Sequence, residues 1–308
     1  MDFSNPIQPQ NQFIFKNEKR NVELWLKRED LIHPEISGNK FRKLKYNLKE
    51  AEKLGFKTLL TFGGAFSNHI SATAAAGNMF GFKTIGVIRG EELAADLNST
   101  FEKNPTLKYA KSCGMEFEFI SREAYRQKES DGFISSIRKK YGDFYLLPEG
   151  GTNKLAIKGS EEILTEEDEK FNFVCCPVGT GGTISGIINA SFSNQKIIGF
   201  PALKGDFLTS EIEKLTTKRN WELVHDYHFG GYAKINSELV EFMNFFKQKN
   251  NIQLDPVYTA KMIFGIYDMI ERGEFSKNTC ILAIHTGGLQ GISGMNNFLK
   301  SKKMGLIV

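Results

Sequence analysis

Four cysteines in 308 residues, none in a Cys-x-x-Cys spacing, give no disulfide framework and no zinc ribbon. Cys113, Cys175, Cys176 and Cys280 are expected as buried free thiols, two of them adjacent in the apolar run 171–178. Histidine is scarce too: five in all, and the His225-x-x-His228 pair has no third ligand nearby, so no metal site is assigned. No apolar run approaches the roughly 18 residues a membrane helix needs, and no block of basic residues or aromatic RNA-binding motif is present. The 40 basic and 36 acidic residues are interspersed, with net charge +4, so neither a membrane nor a nucleic acid is expected as partner. The opening Met-Asp-Phe-Ser-Asn-Pro lacks the charged and apolar regions of a signal peptide, and a cytoplasmic location is expected. Repeats and low-complexity segments are absent from the sequence as well.

What the chain does have is alternation. Short β-branched or aromatic runs at 24–27, 58–62, 84–88, 116–120, 144–147, 173–177, 196–200, 222–225 and 280–285 are each followed by a turn signal. Helical patterns intervene, as at 41–54, where Leu44, Leu48, Ala51 and Leu54 recur at helical spacing before Gly55, and at 258–270. This is the pattern of βαβ units around mainly parallel sheets, and the length suits two α/β domains. The polar stretch 90–104 reads as an irregular excursion.

Three segments carry chemistry. Gly179-Thr180-Gly181-Gly182-Thr183 joins a strand to a helix. Its glycines let backbone N–H groups converge, and the helix N-terminus favours an anion. Neither the dinucleotide fingerprint nor the P-loop spacing fits, so a compact monophosphate suits it, against the plainer alternative of a turn that packs helix on strand. Ser37-Gly38-Asn39-Lys40 stands before the helix at 41–54. The helix dipole and partial burial both lower the pKa of Lys40 toward a nucleophilic amine, whereas Lys43 and Lys45 exemplify ordinary surface lysines. Gly63-Gly64-Ala65-Phe66-Ser67-Asn68-His69 precedes a small-residue helix. It offers donors for a carboxylate, or simply an N-cap at Ser67 or Asn68.

With Leu26-Lys27-Arg28-Glu29-Asp30, Pro148-Glu149-Gly150-Gly151-Thr152-Asn153, Pro256-Val257-Tyr258-Thr259 and His285-Thr286-Gly287-Gly288, these segments run in order along nearly the whole chain. Together they resemble the 1-aminocyclopropane-1-carboxylate (ACC) deaminase and D-cysteine desulfhydrase family of pyridoxal-phosphate enzymes, within the tryptophan-synthase-β-like fold (fold type II). The resemblance implies an α/β fold with a large cofactor domain, 1–42 plus 151–308, a small domain at 43–150, and a homodimer. It also implies roles. Lys40 resembles the lysine that binds pyridoxal 5'-phosphate, Asn68 the partner of its phenolic oxygen, and residues 179–183 its phosphate cup. Thr286 lies where the ring nitrogen is expected. Ser67, Asn68, His69 and Thr259 look like substrate contacts, with Tyr232 and Tyr258 as tyrosines facing the substrate.

ACC deaminases typically carry Glu after the second tyrosine and Gln after the Ser-Asn pair. Thr259 and His69 resemble the desulfhydrase branch instead. Phe41, Ala233 and Ala260 stand where Thr, Gly and Gly are more usual. A carboxylate at the ring nitrogen makes a stronger electron sink than a hydroxyl does, and expelling a thiolate needs less of one. The expected activity is therefore β-elimination of D-cysteine to pyruvate, hydrogen sulfide and ammonia. ACC deamination to 2-oxobutanoate and ammonia, a D-serine dehydratase-like reaction and a non-catalytic binding protein are the competing readings.

Overall fold

The computed structural model describes residues 7–308; the first six positions of the expected large domain lie outside the described residues. Among the described residues, ten strands form two sheets. The six-stranded sheet has the order β1 (Asn11–Asn17), β2 (Val22–Lys27), β10 (Thr279–Ile284), β7 (Phe173–Val178), β8 (Lys196–Pro201) and β9 (Trp221–Leu223). The four-stranded sheet has the order β5 (Glu116–Ile120), β4 (Lys83–Arg89), β3 (Thr58–Gly64) and β6 (Tyr145–Leu147). Every pairing is parallel except β1 with β2.

The central parallel strands are covered on both faces, which is why β7 reads as a continuous apolar run rather than an alternating one. One core cluster joins Leu24, Leu26, Ile281 and Ala283 to the helix Thr259–Glu271. A second packs Val174, Cys176 and Ile284 against Ile184, Ile187 and Ile188 of the helix Gly182–Ala190. A third joins Phe41, Leu44, Leu48 and Ala51 of the helix Asn39–Lys53 to Leu59 and the alanines of the helix Asn68–Phe80.

All nine expected strands are present, with ends shifted by at most two residues. The tenth, β1, has no clear pattern in sequence because only Ile14 of its seven residues is buried. The segment 90–104 is more ordered than expected: a short 3-10 turn, Glu91–Ala94, is followed by the helix Leu97–Lys103, which buries Phe101 alone. Cys175 and Cys176 are buried thiols, whereas Cys113 and Cys280 are only half-buried. His228 Nδ1 accepts from the backbone N–H of Gly230 at 2.9 Å.

Segment 26–30 turns out to be scaffold. Lys27 pairs with Asp168 at 2.7 Å, Arg28 grips Asp30 at 2.8 Å, and Glu29 takes two hydrogen bonds from Arg42 at 2.9 and 3.0 Å. Lys27, Asp168, Glu29 and Arg42 are all buried, so removing Lys27 or Arg42 strands a buried carboxylate, at a cost of about 3–5 kcal/mol, whereas Arg42 without Glu29 keeps Glu162 at 3.5 Å.

Candidate active site

Loops at the carboxyl ends of β3, β4, β6, β7 and β10 converge on one cavity of about 300 Å³, the position where open parallel sheets characteristically bind ligands. Its wall holds Lys40, Ser67, Asn68, His69, Gly179, Thr180, Gly181, Gly182, Thr183, Tyr232, Tyr258 and Thr286. Thr259 is the exception among the expected site residues. It is fully buried outside the wall, and its hydroxyl accepts from the backbone N–H of Asp255 at 2.8 Å.

The glycine loop and the lysine loop are tied together. Asn39 Nδ2 donates to Thr183 Oγ1 at 2.8 Å, so the residue before Lys40 is fixed to the first turn of the helix Gly182–Ala190. Gly181 takes a left-handed conformation (φ 82°) as the N-cap of that helix, where a side chain would be strained. A Cβ on Gly182 would lie 2.8 Å from Thr152 Oγ1 and 3.1 Å from Lys43 Nζ. The loop is therefore bare backbone facing a hydroxyl and a lysine amine, chemistry that suits a phosphate dianion.

Lys43 is the residue the sequence reading misplaced. It is no surface lysine: its amine is buried in the cavity wall, 3.0 Å from both Gly150 O and Thr152 Oγ1. Lys40 Nζ donates to the same Gly150 carbonyl at 3.2 Å. Burial brings the pKa of Lys40 down to about 8, and burial together with the neighbouring Lys40 charge holds Lys43 well below the usual lysine range. The spacing of three residues from Lys40, one helical turn, was the available signal. Lys45, by contrast, reaches Glu162 at 2.6 Å, away from the cavity.

Ser67 is the N-cap of the helix Asn68–Phe80, accepting from His69 N at 3.2 Å and Ile70 N at 3.4 Å. The capping alternative is thus realised, and the hydroxyl still borders the cavity. His69 is buried, with neither ring nitrogen hydrogen-bonded; the Pro148 carbonyl acts on it electrostatically but lies outside bonding geometry. Burial, then the charges of Lys40 and Lys43, push its pKa well down, so the ring is neutral. Its ring nitrogens border the cavity without a protein partner, so they are able to meet a ligand bound there.

The two tyrosine rings meet edge to face at 6.1 Å. Tyr258 lies beside the glycine loop, since a Cβ on Gly179 would come 3.3 Å from its hydroxyl. Burial raises both phenol pKa values, which keeps both protonated. Arg89 and Glu149 also border the cavity; Arg89 ends β4 without a motif of its own, and Glu149, though part of the 148–153 motif, was given no role in the site.

The open glycine cup, two buried amines and an unpartnered imidazole fit pyridoxal phosphate. Residues 6–287 match the family of pyridoxal-phosphate dependent enzymes. A putative ACC deaminase of Thermotoga maritima is 34% identical over 91% of this chain and 94% of its own. The bifunctional D-cysteine desulfhydrase/ACC deaminase of Arabidopsis thaliana, mitochondrial, is 31% identical over 88% of this chain and 73% of its own. The crystal structure of an ACC deaminase homologue superposes with a TM-score of 0.82 at 28% identity, covering 96% of this chain and 94% of the other. The chain belongs to the pyridoxal-phosphate dependent enzymes, as an ACC-deaminase-like member that acts on a small amino acid.

Proposed function

We propose that the enzyme eliminates hydrogen sulfide from D-cysteine: D-cysteine and water give pyruvate, hydrogen sulfide and ammonia. The observation that carries this reading is the charge of the cavity wall. Its one carboxylate among the described residues is Glu149, which is half-exposed and lies 3.3 Å from Lys128. Thr286, in the cavity wall, would then be the residue to meet the ring nitrogen of the cofactor, in place of an acid. Pyridoxal phosphate supplies the electron sink that makes the Cα proton acidic, and without a carboxylate partner the sink is the weaker kind, sufficient where a thiolate leaves.

Lys40 holds the cofactor, with residues 179–183, Thr152 and Lys43 at its phosphate and Asn68 at its phenolic oxygen. Ser67, His69 and the amides at the start of the helix Asn68–Phe80 receive the substrate carboxylate. Lys40 Nζ, freed when the substrate amine takes its place and with a pKa brought down to about 8, is the base that takes the Cα proton. Tyr232 and Tyr258 keep their protons and act as donors to the departing sulfur. Thr259 serves through its bond to Asp255, holding the start of its helix. The division into 1–42 plus 151–308 and 43–150 belongs to this reading, supported by the membership of the two sheets. So do a homodimer and a cytoplasmic location; no described helix is long and apolar enough to cross a membrane.

ACC deamination is the second reading, favoured by the names of the relatives. The test is a substrate panel on the holoenzyme. The proposal expects pyruvate and sulfide from D-cysteine with kcat/KM at least about tenfold above that for ACC, a difference of about 1.4 kcal/mol in transition-state stabilisation. Faster release of 2-oxobutanoate from ACC would replace it with the second reading.

A further inference from the structure

The two ends of the Asn68 amide meet different surroundings. Gln290, the N-cap of the helix Gly291–Ser301, donates from Nε2 to Asn68 Oδ1. The other end lies against Gly288, where a Cβ would come 2.5 Å from Asn68 Nδ2 and 2.8 Å from Asp255 Oδ2. Nδ2 and the Asp255 carboxylate therefore share one side of Gly288. Asp255 Oδ1 is already engaged, accepting from the backbone N–H groups of Val257, Tyr258 and Thr259. Turning the amide over would set its oxygen toward the Asp255 side chain and, with Gln290 as it stands, its nitrogen against the Gln290 donor, so both contacts favour the present orientation. The loop is also anchored close by, because Phe66 packs on Gly294, where a Cβ would lie 2.6 Å from the ring.

We propose that Gln290 is a positioning residue that fixes the Asn68 amide with its N–H₂ group available to the cofactor. This rests on the reading that Asn68 meets the phenolic oxygen of pyridoxal phosphate. A donor at that oxygen stabilises its negative charge and so lowers the proton affinity of the conjugated nitrogen on Lys40. Gln290 thus tunes the cofactor without touching it, from the loop after β10 onto the loop after β3.

The test is Gln290→Met, which keeps the length of the side chain, adds no charge and removes the donor. Three readouts are taken: the pH titration of the bound cofactor's absorbance, the Kd for pyridoxal phosphate and the melting temperature of the apoprotein. The expected result is a titration midpoint raised by about one unit and a Kd weakened about tenfold, with the apoprotein melting as wild type does. A simple tether between loops would change the melting temperature and leave the midpoint in place. Because the effect passes through Asn68, Gln290→Met should shift nothing further in an Asn68→Ala background. An unchanged midpoint in Gln290→Met, or an equal shift in both backgrounds, overturns the proposal. A wild-type protein with no cofactor band refutes the cofactor reading itself, and this proposal with it.

Discussion

Lys40 and Lys43 share one carbonyl, and burial makes the charged form of each less favourable than that of an ordinary lysine. Lys40 is charged below pH 8 and largely neutral above it. Only the neutral amine attacks the aldehyde of the cofactor, so apoenzyme reconstitution should speed up nearly tenfold per unit between about pH 6.5 and 7.5 and level off above 8. Stopped-flow absorbance at saturating pyridoxal phosphate checks this. The same shift bears on stability with a definite sign: between pH 8 and 10.5 the unfolded chain binds the proton that folded Lys40 has lost. The Lys40 contribution to apoprotein stability therefore rises with pH across that window. Lys43 is the complementary case. Lys43→Met removes a buried amine whose charged form has only neutral partners, so the apoprotein should melt no lower than wild type. The loss of a charge-assisted bond to phosphate should weaken the cofactor Kd by roughly 10- to 100-fold, readable in one fluorescence titration. Lys40 was legible because its motif is dense. Lys43 was not, because sequence alone does not say which face of an amphipathic helix meets a polar cavity instead of solvent.

At the scale of elements, the site is a set of strand-to-helix junctions, and each junction has a backbone requirement. Gly38 is the strictest: its φ of 63° and ψ of −144° lie where only glycine is comfortable, and a Cβ would collide with the Thr286 backbone. That contact is part of the site, since Asn39 N donates to Thr286 O at 3.2 Å and so joins the Lys40 helix to the loop after β10. Gly38→Ala should cost at least about 3 kcal/mol, seen as a large fall in melting temperature or in soluble yield, whereas Gly55→Ala, with open space around its φ of 80°, should cost about 1 kcal/mol. The strands themselves were readable from β-branched runs and turn signals. The edge strand β1 was not, because it buries one residue and has a register shift between Phe13 and Phe15. The helix Leu97–Lys103 escaped for the same reason, with Phe101 its one buried side chain.

For the whole molecule, two mainly parallel sheets from interleaved parts of the chain bring residues 40, 68, 180 and 286 to one cavity. Sequence order conveyed the parts but not their meeting. The three-dimensional contacts that close the site, Asn39 with Thr183, Lys43 with Thr152 and Gln290 with Asn68, span 144, 109 and 222 residues, and no local pattern encodes them. The most direct test of the account is to map the lysine that carries the cofactor. Protein loaded with pyridoxal phosphate is reduced with borohydride, digested and sequenced by mass spectrometry. The account predicts one pyridoxyl group per chain, on Lys40. A modification on Lys43, the other buried amine of the same cavity, or no stoichiometric modification at all, would contradict it.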